Sequence, residues 1–433
     1  MFSSLHIHNY RLYAAGGLVS NTGTWMGRVA QDWLILTELT DHSATALGIA
    51  TGLQFAPFLV LAPWAGALAD RFSKRRIMLT TQSTLMATAT LLAWLTVTGR
   101  VQLWQVFALA LVQGLAQAVD NPARQTFVGE MVGSDHLTNA VGLNSASFHA
   151  GRLIGPGVAG LLIAAYGTGV AMGANAASFA VLLLALAAMR TGELHPAPLA
   201  RGKGQIRAGV AYVRGRPDIQ LVMALVFVLG TFGLNFQLTI ALMATRAFGK
   251  GPTEFGLLGS VMAVGSLAAA LLSARRARPR LRVLFVALGG FTVASAAAAL
   301  APTYAAFAVA LVPCGLAALT ALTTANAYVQ LAVDPVMRGR VMALYMAIFL
   351  GGTPIGAPLI GRLGDWAGPR WSIGVGAIAV GTAVLLAGGW LARRDNVRVS
   401  YRPGDRPALH VTRGPRWRDD AAAATSDAPE VPR

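Results

Sequence analysis

Gly66-Ala67-Leu68-Ala69-Asp70-Arg71-Phe72-Ser73-Lys74-Arg75-Arg76 separates two apolar runs, at 44–69 and 77–98. Each run is long enough for one membrane crossing, which takes about 20 mostly apolar residues as a helix. The basic residues between them fall in a turn too short to bury charge, so the stretch reads as a water-facing turn joining two spanning helices. Gly66 permits close approach of a neighbouring helix, and Asp70 stands at a helix end beside the cations. A plain basic loop accounts for the cations but not for an acid with a glycine four residues before it.

Working outward, runs of the same kind fall at 12–38, 103–121, 138–166, 169–190, 218–245, 253–274, 282–301, 303–331, 340–365 and 371–392, which makes twelve spans. Of the 433 residues 55% are hydrophobic and 12% charged, about half the charge of a soluble domain. That composition excludes a soluble enzyme and a disordered chain. The reading is an all-α membrane protein of twelve transmembrane helices in two pseudo-symmetric six-helix bundles. Residues 1–190 form the first half, 191–217 a polar linker with an amphipathic piece around Ile206–Val213, and 218–392 the second half. Residues 393–433, charged and Pro-rich, read as a disordered tail.

The net charge of +17 is clustered between spans rather than spread over a nucleic-acid-binding face, and no nucleic-acid partner is expected. Most Lys and Arg fall on the side of the termini: Arg71, Lys74, Arg75 and Arg76, then the linker, then Arg275 to Arg282. The positive-inside rule therefore places both termini and the linker in the cytoplasm of a multi-pass cytoplasmic-membrane protein. Met1–Tyr10 has no signal-peptide pattern. Cys314 is the single cysteine, so no internal disulfide is possible.

An internal repeat supports the two halves. At an offset of 201, Leu143, Ala146, Phe148, Gly151, Ile154, Gly155, Gly160, Leu162 and Gly167 match Leu344, Ala347, Phe349, Gly352, Ile355, Gly356, Gly361, Leu363 and Gly368. This pairs span 5 with span 11.

Charge inside the membrane is costly and marks function by default. Span 1 carries Asn21, Thr24, Arg28, Gln31 and Asp32 along one face, with Arg28 and Asp32 an i,i+4 pair. Asp32 reads either as a protonatable carboxylate facing a cavity or as half of a structural ion pair. Span 5 adds His149 and Arg152, three residues apart. His149 reads as a packing residue or a proton carrier, and Arg152 as a cavity group that needs a partner or water. Span 4 carries Gln113, Gln117, Asp120 and Arg124 at helical spacing; Asp120 is expected to partner the basic turn at Arg71–Arg76, with Arg124 beside it. The second half offers neutral groups instead: Thr231, Asn235 and Thr239, then Thr323, Asn326, Tyr345 and Phe349. With Asn21, Thr24 and Asn144 of the first half, Asn235, Thr239, Tyr345 and Phe349 are the candidates for a substrate cavity, or else hydrogen-bond between helices.

The stretch from Gly66 to Arg76 resembles the G-x-L-a-D-r-x-g-r-[KR]-[KR] signature of the major facilitator superfamily, with Ser73 for the usual Gly. Span 5, Gly151-Arg152-Leu153-Ile154-Gly155-Pro156-Gly157-Val158-Ala159-Gly160, resembles that superfamily's G-x-x-x-G-P-x-x-G-G antiporter motif, with Ala159 for the first Gly of the last pair. In span 4 the superfamily's Arg three residues before Gln-Gly is replaced by Ala110, before Gln113-Gly114. The resemblance implies a conformational latch at Gly66, Asp70, Arg71, Lys74 and Arg75. It would be one-sided, since the matching turn of the second half has Ser273 where the Asp would stand. It further implies a secondary active transporter resembling the drug and siderophore export branch, working as a monomer by proton antiport and without a cofactor. The alternative is an importer or facilitator of a nutrient or lysophospholipid on the same fold. No G-x-x-x-x-G-K-[ST] loop and no metal-ligand spacing occur, so no catalytic residue, metal or ATP-driven step is expected.

Overall fold

Lipid offers the backbone no hydrogen bonds, so apolar segments must satisfy their own, and helices form. The computed structural model describes residues 3–195, 205–274, 279–394, 398–401 and 409–412; for 62–71, 134, 205–208, 274, 335–336, 394, 398–401 and 409–412 it describes the backbone alone. The helices are α1 (His8–Trp33), α2 (Ala44–Arg71), α3 (Lys74–Val97), α4 (Leu103–Tyr166), α5 (Thr168–Ala187), α6 (Gln205–Arg214) and α7 (Pro217–Val228). They continue as α8 (Phe236–Leu242), α9 (Pro252–Ala274), α10 (Leu281–Leu300), α11 (Tyr304–Ala332), α12 (Pro335–Gly351), α13 (Thr353–Ala367) and α14 (Pro369–Arg394). Among the described residues ten helical runs are long and apolar enough to cross a membrane. α1 and α3 have the length but are more polar, through the stripe on α1 and the basic first turn of α3.

Four features depart from the expected spans, the first being that span 7 is interrupted at Leu234 and Asn235 between α7 and α8. Residues 122–137, read as a loop, are helical, so spans 4 and 5 are two arms of α4 that meet at Gly133. Gly133 has φ 69° and ψ −176°, a conformation open essentially to glycine alone. The extra turns form because Ala123, Phe127, Val128 and Met131 recur at helical spacing and are buried against Tyr10 and Tyr13 of α1. Span 11 is divided at Gly352 into α12 and α13, where α13 crosses Thr231 backbone to backbone. In the tail, β1 (Arg398–Tyr401) and β2 (Leu409–Thr412) pair antiparallel, Arg398 opposite Thr412. Their β-branched and aromatic residues favour a ladder, so these eight positions are ordered strands, contrary to the reading of a disordered tail. The remainder of the tail lies outside the described residues.

The helices form a pseudo-symmetric bundle. α1–α5 pack on one another, and α7–α14 do likewise. The 201-residue repeat holds in the packing. Gly151 and Gly155 in the second arm of α4 abut Asn21 and Thr22 of α1, and Gly352 and Gly356 abut Thr231. Gly160 lies against Pro252 and Thr253 in the first turn of α9, and Gly361 against Ala44 and Thr45 in the first turn of α2. The two groups of helices therefore meet along α4–α9 and α2–α13. Trp33 stacks on Phe255 beside these seams, ring centroids 6.1 Å apart.

All these contacts lie towards the end of the bundle where α1 finishes and α2 and α9 begin. At the other end, among the described residues, no helix pair packs α3 or the Gly133 region of α4 against α11 or α12. α6 lies there, Gly209 against the backbone of Arg340 and the Tyr212 hydroxyl donating to Asp334 at 3.1 Å.

Candidate functional site: charges inside the bundle

α1 and the second arm of α4 pack closely because Gly151 and Gly155 remove side chains from the crossing; a Cβ on Gly155 would sit 2.8 Å from Cβ of Trp25. That approach brings Arg152 to the Trp25 ring, which Arg28 of the same helix already faces. The guanidinium carbon of Arg28 is 5.0 Å from the Trp25 ring centroid, and that of Arg152 is 5.4 Å from it. Both distances fall within cation–π range. Arg28 also lies 5.8 Å from the Phe55 ring and donates from Nη2 to Oε1 of Gln117 at 3.2 Å.

Asp32 is buried, 8% exposed, one helical turn beyond Arg28. The two do not approach within ion-pair distance, and the five ion pairs among the described residues involve other groups. Arg28 is engaged by Gln117 and two aromatic rings instead. The expected i,i+4 contact is therefore one of proximity without a salt bridge. His149 is half-buried with its ring edge-on to Phe148, 5.8 Å between centroids.

A cavity of about 30 Å³ opens beside Arg28, lined by Thr24, Gln31, Gln54, Gln113, Gln117 and Asn175 among others. That is room for about one or two waters among amide and guanidinium groups. Asn21 instead donates to Ser147 across the α1–α4 crossing at 3.1 Å. A second cavity, about 350 Å³, is lined by Leu322, Thr323, Asn326, Tyr345, Met346 and Phe349 of α11 and α12. Four of the polar and aromatic positions singled out in the second half thus meet in one place. Asn144 lines neither of these cavities. Asn235 and Thr239 are buried and line neither cavity, the amide of Asn235 donating to the Thr231 carbonyl at 2.7 Å.

Of the expected charged latch, the described side chains are those of Lys74, Arg75, Asp120 and Arg124. The side chains of Gly66, Asp70 and Arg71 lie outside the described residues. Lys74 forms a buried ion pair with Glu130 at 2.6 Å, and Arg75 donates from Nε to the Leu186 carbonyl at 2.9 Å, at the end of α5. Asp120, assigned to the basic turn, accepts instead from Arg124 Nε at 3.0 Å and Thr81 Oγ1 at 2.6 Å. The reason is reach: Arg124 is on the next turn of the same helix, and Glu130 is the acid α4 presents to Lys74.

The sequence reading missed Asp365 of α13. Its carboxylate crosses to the first turn of α2, accepting from the backbone N–H of Ala44 at 2.9 Å and of Thr45 at 2.8 Å, and from Thr45 Oγ1 at 2.6 Å. Arg246 completes the cluster at 2.9 Å. A carboxylate on the free N–H groups of a helix start satisfies orphan donors and complements the helix dipole. A signal was available: Gly361 precedes Asp365 by four residues, as Gly66 precedes Asp70. In the repeat, Ala164 stands where Asp365 does, so this lock is single. Trp25 was also missed, having no charge to mark it.

Residues 1–404 match the family described as transmembrane secretion effectors. The chain belongs to this family of the major facilitator superfamily. It is similar to the staphyloferrin A transporter of Staphylococcus aureus, 24% identical over 58% of this chain and 63% of the relative, so the match spans less than two thirds of that protein. The enterobactin exporter of Shigella flexneri is 24% identical over 81% of this chain and 84% of its own length. Among solved structures the fold is similar to a D-xylose–proton symporter, with a TM-score of 0.71 at 12% identity, covering 89% of this chain and 97% of that one. The major facilitator superfamily is one of secondary transporters of small molecules rather than of enzymes.

Proposed function

We propose that this chain crosses the cytoplasmic membrane twelve times, in two six-helix halves with both termini and the linker in the cytoplasm, and moves its substrate by alternating access as a monomer. The observation that carries this reading is the one-ended seam: two pseudo-symmetric bundles locked at Asp365, with charged groups on α1 and α4 buried inside. With cytoplasmic termini, the joined end faces outward and the separated end faces the cytoplasm.

Asp32 is the proposed proton carrier. Proton uptake and release at Asp32 are coupled to where Arg28, one helical turn away, is engaged. The contacts of Arg28 with Gln117, Trp25 and Phe55 support an engagement away from Asp32. Asp70 and Arg71 remain the proposed latch of the cytoplasmic ends.

Direction has two readings. Uptake of a small nutrient or lysophospholipid is supported by likeness of fold to the D-xylose–proton symporter. Export of a drug-like compound or siderophore is supported by the relation to the enterobactin exporter and by the span-5 motif. Everted membrane vesicles with an acidified lumen separate them, assayed with a panel of small amphipathic compounds. Proton antiport export accumulates substrate in the lumen, whereas symport uptake does not. Asp32→Asn should abolish gradient-driven movement in either direction while leaving downhill exchange. Undiminished uphill transport by Asp32→Asn would make Asp32 a structural residue.

A further inference from the structure

We infer that Arg28, Trp25 and Arg152 form the recognition element for a planar aromatic acid, an inference that rests on the transporter reading but not on its direction. Each guanidinium carries five N–H donors. Among the described residues Arg28 uses one, on Gln117, and Arg152 makes neither a hydrogen bond nor an ion pair. The helices thus supply cation–π contacts to both cations and amides around Arg28, but among the described residues no hydrogen-bond acceptor to Arg152. Donors without acceptors inside a bundle are unfavourable, and an anion supplies what they lack.

The charge balance selects the sign. Two Arg and one Asp, Asp32, are the charged groups of α1 and the second arm of α4 within this region. A cation would meet two like charges for one opposite charge. A carboxylate meets two planar forks suited to two-point hydrogen bonding. The walls select the shape. Phe148, 46% exposed, meets Trp25 edge-on at 5.9 Å, and the Phe55 ring lies 5.8 Å from the Arg28 guanidinium carbon. The exposed Phe148 ring offers a flat ring a stacking surface, and Arg152 takes its acid group.

The test is calorimetric titration of the purified full-length protein with three probes of one shape: 2-naphthoate, neutral 2-naphthamide and cationic 2-naphthylmethylammonium. Naphthoate should bind about tenfold or more tighter than either, the scale of one charge-assisted hydrogen bond. Arg152→Gln should abolish that preference by weakening naphthoate far more than naphthamide, and Trp25→Leu should weaken both. Naphthoate that fails to bind, or binds no tighter than naphthamide, overturns the inference, as does an Arg152→Gln protein that keeps the preference. The wild-type ranking decides the matter even where a variant does not fold. Transport of neutral or cationic compounds without anion preference would leave the transporter reading intact and remove this one. The expected ranking in a protein that moves nothing across vesicles would do the reverse.

Discussion

At the scale of residues, two ion pairs have different work to do. Lys74–Glu130 is buried within one bundle, both side chains 9% exposed. Removing one partner of such a pair strands a charge and costs about 3–5 kcal/mol, while replacing both with apolar residues is often neutral. Lys74→Met should therefore lower the unfolding midpoint in detergent sharply, and Lys74→Met with Glu130→Met should restore most of it. Asp365–Arg246, in contrast, is about one-third exposed and its carboxylate bridges two bundles. Its loss acts on the balance between access states more than on folding. Hydrogen bonds to a charged group are worth about 1.5–3 kcal/mol each, so Asp365→Ala should open the joined end by tenfold or more. Labelling of a cysteine placed at Thr45 reads this directly, since Cys314 is fully buried. Unchanged labelling in the variant would show that glycine packing alone closes that end.

At the scale of elements, α4 is the least ordinary. It carries Pro122 and Pro156 inside helix and a glycine-only turn at Gly133 between its arms. Gly133→Ala forces a side chain into that backbone conformation, at about 1–3 kcal/mol, so its thermal midpoint should fall; an unchanged midpoint would mean the arms realign freely. The second arm divides its motif between two faces. Gly151 and Gly155 take α1, whereas Pro156 and Gly160 take α9 of the other bundle, the Pro156 carbonyl against Gly256. The span-5 motif is thus at once the crossing that assembles the Arg–Trp–Arg group and half of the seam between bundles.

At the scale of the whole molecule, alternating access requires the separated end to close when the joined end opens. Phe72, beyond α2, and Leu331, near the end of α11, are both exposed at the separated end. Spin labels on cysteines at these positions should report a distance that shortens in part of the population when substrate and a proton gradient are supplied. One invariant distance under every condition would contradict the mechanism. Asp365→Ala should shift the same distribution toward the shorter value, tying the residue to the global change.

Periodicity and hydropathy alone determined that this is a helical membrane protein with a duplicated plan, because lipid leaves each apolar run of this length little choice but helix. The same logic marked Arg28, Asp32 and Arg152 as unusual, since charge inside a span is legible wherever it stands. Partnership was not legible. Whether Asp120 meets Arg124 or the basic turn, whether Lys74 finds Glu130, and whether Arg28 pairs with Asp32 or reaches Gln117 all depend on which helix faces which across the bundle. Gly133 looked like one more loop glycine because its backbone conformation is set by the burial of Phe127 and Met131 on Tyr13, a contact more than a hundred residues long in sequence. Asp365 shows the limit most plainly: its partners, the N–H groups of Ala44 and Thr45, are backbone atoms left free by the start of α2, and only tertiary packing brought a carboxylate to them.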